Sequence, residues 1–142
     1  MSVGDFEGEI VKQKLSRNPI AFVIVLIAFA WNLALLVGVV FNLSYAHSRA
    51  AGGKYTDFPV GIRFVYFLQF ILVAYQVLIF KLIFHTEMVK PMWLPKIFFL
   101  IGILGTLVNG ASRSANERLN VIPAAIITWS FWYYGLKKSP KS

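Results

Sequence analysis

Residues 20–43 form a run of 24 amino acids without a single charged side chain, and this run limits the folds open to the chain more than any other feature. As an α-helix it would be about 36 Å long, enough to cross a hydrocarbon core of about 30 Å with some tilt. Three further apolar runs follow at residues 64–84, 95–112 and 121–136. All four are continuous, without the alternation of period two that is typical of a membrane β-barrel. The sequence therefore predicts an all-α integral membrane four-helix bundle.

Composition supports a single membrane domain over residues 1–142. Hydrophobic residues make up 58% of the chain and charged residues 14%, whereas a soluble domain averages about 25% charged residues. So little polar surface excludes a disordered chain and argues against a water-soluble domain. Because the sequence has no cysteine, disulfides, zinc–thiolate sites and thiol nucleophiles are excluded as well.

The lysines and arginines outside the apolar runs predict the orientation. With four spans, both termini and the segment between the second and third spans share one side, which carries nine basic residues. The other side, which includes the long loop at residues 44–59, carries five. Because basic residues concentrate on the cytoplasmic side of a membrane, we expect both termini in the cytoplasm. The expected location is a cell membrane, namely the inner membrane of a prokaryote.

A short apolar pattern precedes the first span. Phe6, Ile10, Val11 and Leu15 recur at helical spacing, and acidic residues come before basic ones. This pattern is typical of a short amphipathic helix on the membrane surface, but a frayed soluble tail explains it equally well. Both interpretations stay open.

Small and polar residues interrupt the apolar runs at helical spacing. Small side chains that let helices approach closely are Ala30, Ala34, Gly38, Gly102 and Gly105. Polar side chains expected within the membrane are Asn32, Gln69, Gln76, Thr106 and Thr128. In a membrane such polar groups either join helices through hydrogen bonds or line a hydrated pocket. The sequence leaves both roles open.

The densest polar segment covers the end of the third run and the turn into the fourth. The residues singled out there as a ligand or anion site are Asn109, Ser112, Arg113, Glu117 and Arg118. In the first interpretation, the two arginines bind a carboxylate or lipid phosphate, Glu117 orients them, and Arg113 points into the bundle. In the second, these side chains only satisfy helix ends and hold a short turn.

Binding or assembly is predicted rather than catalysis. The two histidines, His47 and His85, fall on opposite sides of the predicted membrane, so no metal site and no catalytic residue is assigned, and any cofactor stays unknown. The net charge of +8 fits basic residues that flank spans, so no nucleic-acid partner is predicted. Two functions remain. The first is an accessory or structural subunit that packs against partner membrane proteins, lipid or a second copy. The second is a channel or carrier for a small solute or anion, which works as an oligomer.

Overall fold

The fold is known from a computed structural model that describes residues 18–86 and 91–137. Of these residues, 81% are helical and none lies in a strand. The prediction of an all-α chain is therefore confirmed. The predicted amphipathic helix at residues 6–15 lies outside the described residues.

Helix α1 covers Pro19–Val40 and has a clear signal at each end. At its start the Asn18 side chain accepts a hydrogen bond of 2.9 Å from the amide of Ile20, and Pro19 occupies the first turn. At its end Asn42 adopts a left-handed φ of 57°, and the amide of Leu43 donates to the carbonyl of Gly38 at 2.7 Å. This arrangement satisfies the last carbonyls of the helix and turns the chain into the 44–59 loop.

The 44–59 loop is ordered and connects α1 to the longest helix. It contains the short helix α2, Ser44–His47, and a tight turn at Ala51–Gly53. Helix α3 then covers Val60–Thr86, which extends the predicted run at both ends. The side chain of Arg63 in its first turn donates to the carbonyl of Val40 at 2.7 Å, so this arginine caps the end of α1.

The second half of the chain contains a matching pair of long helical segments. Helix α4 covers Leu94–Gly110 and has Pro95 in its first turn. After the short helix α5, Ala115–Arg118, helix α6 covers Val121–Ser130 and continues as a wider π-type helix over Phe131–Lys137.

The long helices form an arc in the order α3, α1, α6 and α4. Helix α1 packs against α3 and α6, and α6 packs against α4, while direct contact between α3 and α4 is slight. In the half of the arc away from the 44–59 loop, the π-type segment also contacts α3 and α4. That half contains the main core, built from aromatic rings that touch one another: Phe22, Phe29, Phe80, Phe84, Phe98, Phe131 and Tyr134.

The exposed faces of the helices are apolar. Large side chains such as Ile27 on α1, Leu68 on α3, Leu104 on α4 and Ile122 on α6 are each about half exposed or more. Helices α1 and α3 are long and apolar enough to cross a membrane, whereas α4 is apolar but shorter, at 17 residues.

Candidate functional site

The 44–59 loop folds back onto the segment between α4 and α6, and Glu117 is the centre of that contact. Oε2 of Glu117 accepts a hydrogen bond of 2.7 Å from the amide of Gly52 and a second, short one from the hydroxyl of Ser112. The carboxyl-bearing residue is only 8% exposed. A buried acceptor that holds two donors from different parts of the chain fixes the loop at this point.

The turn at Ala51–Gly53 has the backbone that this docking requires. The φ angles of Ala51, Gly52 and Gly53 are 50°, 72° and 65°, all in the left-handed region. Glycine adopts such angles without strain, which explains the two glycines of the turn. At Gly53 a side chain would also meet Ser114 at 3.2 Å. The amide of Ala51 donates to the hydroxyl of Tyr66 on α3 at 3.3 Å. The turn therefore contacts both sides of the arc.

Asn120 makes a second connection, between the loop and α1. Its side-chain nitrogen donates to the carbonyl of Arg49 at 3.0 Å, and its oxygen accepts from the indole nitrogen of Trp31 at 3.2 Å. The Arg49 guanidinium in turn lies over the Trp31 ring, with its central carbon 5.6 Å from the ring centre. Asn120 itself is buried. One amide thus positions a cation and an aromatic ring against each other.

Beneath the loop, the arc encloses a cavity of about 200 Å³, which we call the polar cavity. Each long helix contributes to its wall, and polar groups line most of it. The polar or charged side chains in the wall are Trp31, Asn32, Arg49, Tyr66, Gln69, Asn109, Glu117 and Asn120. Four of these, Asn32, Gln69, Asn109 and Glu117, are residues that the sequence singled out, although it assigned them to two separate groups.

The predicted role of Arg113 does not match its position. The side chains of Arg113 and Arg118 are both exposed, and neither belongs to the wall of the polar cavity. Arg113 was expected to point into the bundle because the helical spacing of the third run was assumed to continue as far as residue 113. Helix α4 ends at Gly110, however, so that spacing no longer applies. The buried member of the predicted cluster is Glu117, assisted by Ser112.

The remaining predicted polar residues lie away from the cavity. The hydroxyl oxygens of Thr106 on α4 and Thr128 on α6 are 3.5 Å apart. Each hydroxyl also donates to a backbone carbonyl of its own helix. Gln76 is buried on α3. None of these three residues lines the polar cavity.

The predicted small residues have different surroundings. A side chain at Gly38 would collide with the ring of Tyr45, and one at Gly102 would collide with Thr128. At Gly105, by contrast, nothing lies within 4 Å of the position that a Cβ would take, because this glycine faces the polar cavity. Ala30 and Ala34 are exposed.

Sequence reasoning assigned no site role to Trp31, Arg49, Tyr66 or Asn120, although Tyr66 shares a helix face with Gln69 and Asn120 belongs to the same polar segment as Glu117. Arg49 and Asn120 lie in segments without helical periodicity, so nothing in their spacing places them inside. The one available signal was their location in the two segments that connect the spans on the same side. No family model, no curated protein and no solved structure matches the chain.

Proposed function

We propose that this chain is a multi-pass membrane protein that binds a small polar solute in the polar cavity, beneath the 44–59 loop. Membrane insertion is supported by two long apolar helices and by the large apolar side chains on the exposed faces of all four long segments. A soluble protein of this size rarely leaves such continuous apolar surface in contact with water. The excess of basic residues on the side of the termini supports a cytoplasmic location for both ends.

The observation that carries the proposal is a polar cavity inside an otherwise apolar arc of helices. Polar groups in a membrane domain are expensive unless they have partners, so they mark sites of function. The volume of about 200 Å³ is large enough to hold several water molecules or a small solute. It is below the 300–1,000 Å³ that is usual for drug-sized ligands, so the cavity suits a small solute.

The chemistry of the wall indicates what kind of solute fits. The side-chain amides of Asn32, Gln69 and Asn109 each offer donors and an acceptor. Arg49 and Glu117 contribute one positive and one negative charge, which balance. A neutral polar or zwitterionic solute matches this wall better than a simple ion does. We therefore replace the predicted anion site at Arg113 and Arg118 with this cavity.

Because the chain has no cysteine, single-cysteine variants test whether the cavity is hydrated. We expect Asn32→Cys and Asn109→Cys to react with a small, positively charged methanethiosulfonate reagent in purified protein. Ser130→Cys, at a fully buried position outside the cavity, is the control and should not react. A panel of free amino acids and small amides, added before the reagent, should contain solutes that slow the reaction.

A matched pair of glycine substitutions decides whether the reagent enters through this cavity. Gly105→Leu places its side chain in the cavity and should block labelling of Asn32→Cys. Gly61 on α3 also has nothing within 4 Å of the position that a Cβ would take, so Gly61→Leu should leave labelling unchanged. Two results would show that the cavity is not an accessible solute site. One is that neither cavity cysteine is labelled, and the other is that Gly105→Leu does not reduce the labelling.

Assembly with a second membrane protein is a second candidate function, and the exposed small residues of α1 favour it. Ala30 and Ala34 are exposed small side chains that allow another helix to approach closely. Mass measurement in mild detergent separates the cases. A defined complex with another protein supports an accessory subunit, a symmetric homo-oligomer supports a channel or carrier, and a stable monomer argues against both.

A further inference from the structure

A surface depression runs along α1 next to the polar cavity, with which it shares Trp31, Leu35 and Arg49. It consists of two adjoining cavities, of about 390 and 250 Å³, that share Trp31 as a wall. The larger one lies between α1 and α6 and is lined by apolar side chains, including Ile24, Ile27 and Ile122. The smaller one extends to Tyr45 and Arg49 in the 44–59 loop. We call the two together the α1 trough.

The trough follows one face of one helix. The α1 residues in its wall fall at positions 24, 27, 28, 31, 34 and 35, which are the intervals of three and four that place side chains on the same face. From Ile24 to Leu35 is eleven residues, or about 17 Å at 1.5 Å per residue. One leaflet contributes about half of a 30 Å hydrocarbon core. The trough therefore covers the middle of α1, Pro19–Val40, over a length similar to the depth of one leaflet.

The end of the trough nearest the loop carries a positive charge. Among the described residues, the Arg49 guanidinium has no hydrogen-bond acceptor, and it lies over the face of Trp31 at 5.6 Å from the ring centre. The backbone carbonyl of Arg49 and the indole nitrogen of Trp31 are both hydrogen-bonded to the buried side chain of Asn120. A guanidinium without a hydrogen-bonded carboxylate is well suited to bind a phosphate.

We propose that the α1 trough binds an anionic phospholipid. Its phosphate lies at Arg49, and one acyl chain extends past Trp31 along the apolar groove between α1 and α6. The apolar groove and the positive charge at one end of it together indicate a lipid rather than a free anion. The inference rests on the membrane insertion in the proposed function, but not on solute binding in the polar cavity.

Native mass spectrometry of the full chain in detergent tests the headgroup contact. We expect the wild-type chain to bind phosphatidylglycerol more tightly than phosphatidylcholine with the same acyl chains. Arg49→Gln should weaken phosphatidylglycerol binding about fivefold, which is the effect of one basic residue at a membrane surface, and change phosphatidylcholine binding little. Arg113→Gln removes an exposed arginine outside the trough and should leave both affinities unchanged.

A second variant tests the acyl-chain contact. Ile122, which is 62% exposed in the groove wall, can be replaced by tryptophan to obstruct the groove while Arg49 stays in place. Ile122→Trp should weaken both lipids, because each uses the same groove. Inorganic phosphate at millimolar concentration should not displace phosphatidylglycerol, since it has no acyl chain.

Several outcomes would overturn the lipid site. The first is that Arg49→Gln and Arg113→Gln have the same effect on lipid affinity. The second is that inorganic phosphate alone displaces phosphatidylglycerol. The third is a dimer of the chain that persists when lipid is added. Alkaline extraction of membranes tests insertion separately. A chain that resists extraction but shows no dependence on Arg49 refutes only the lipid site, whereas an extracted chain refutes the insertion on which both proposals depend.

Discussion

Removal of the Glu117 carboxylate should release the 44–59 loop from the bundle. In Glu117→Ala, the amide of Gly52 and the hydroxyl of Ser112 both lose their acceptor. A hydrogen bond to a charged group contributes about 1.5–3 kcal/mol. Because Gly52 is exposed, water compensates part of the loss at its amide. We therefore expect the free energy of loop opening to fall by about 2 kcal/mol, which raises the open population about 30-fold.

Limited proteolysis in detergent measures that opening directly. The loop contains two trypsin sites, after Arg49 and after Lys54. When opening is fast relative to cleavage, the cleavage rate follows the open population. Mass analysis should therefore show cleavage at these two bonds about 30 times faster in Glu117→Ala than in wild type. Glu117→Gln keeps one acceptor oxygen without the charge and should give an intermediate rate.

The neighbouring residue provides the control. Arg118 lies on the same short helix, but its side chain is exposed, so Arg118→Ala should be cleaved in the loop at the wild-type rate. If Glu117→Ala lowers the melting temperature of the whole chain but leaves loop cleavage unchanged, then Glu117 stabilises only the turn before α6. That result would refute its role as the anchor of the loop.

Three further outcomes are expected. Reporter fusions after Gly53 and after Ser142 should lie on opposite sides of the membrane, and the same side for both would refute the four-span topology. Gly102→Val should cost about 2 kcal/mol of stability in detergent melting, because its side chain collides with Thr128; Gly105→Ala, with open space before it, is the control and should melt like wild type. Phe80→Ala should cost about 3 kcal/mol in the same assay, since Phe80 is fully buried among other rings, and a smaller change than for Gly102→Val would contradict the described core.

The long helices were predictable because apolar length is a strong signal in a chain of this composition. The predicted first run, at residues 20–43, corresponds closely to α1, Pro19–Val40, and the cap at Asn18 explains where the helix begins. The arc was not predictable, because it depends on contacts between residues far apart in the sequence. The hydrogen bond from Trp31 to Asn120, for example, joins residues 89 positions apart.

The candidate site was predictable only where it lies on helices. Asn32, Gln69 and Asn109 are polar residues in apolar runs, and a polar group in such a place needs a polar surrounding, which the cavity supplies. Arg49 lies in a folded loop, where its backbone carbonyl accepts a hydrogen bond from Asn120. The sequence of this loop has no periodicity from which that position could be predicted. Arg113 shows the opposite error, because a periodicity was extended beyond the end of its helix.

The position of α6 within the arc has a consequence for biosynthesis. Its neighbours are α1 and α4, so a helix that is synthesised after both of them joins one to the other. Until Asn120 and α6 are synthesised, α4 lacks its main partner, and the indole nitrogen of Trp31 and the backbone carbonyl of Arg49 lack their hydrogen bonds to Asn120. A nascent chain stopped before residue 120 would therefore expose unpaired faces on both α1 and α4.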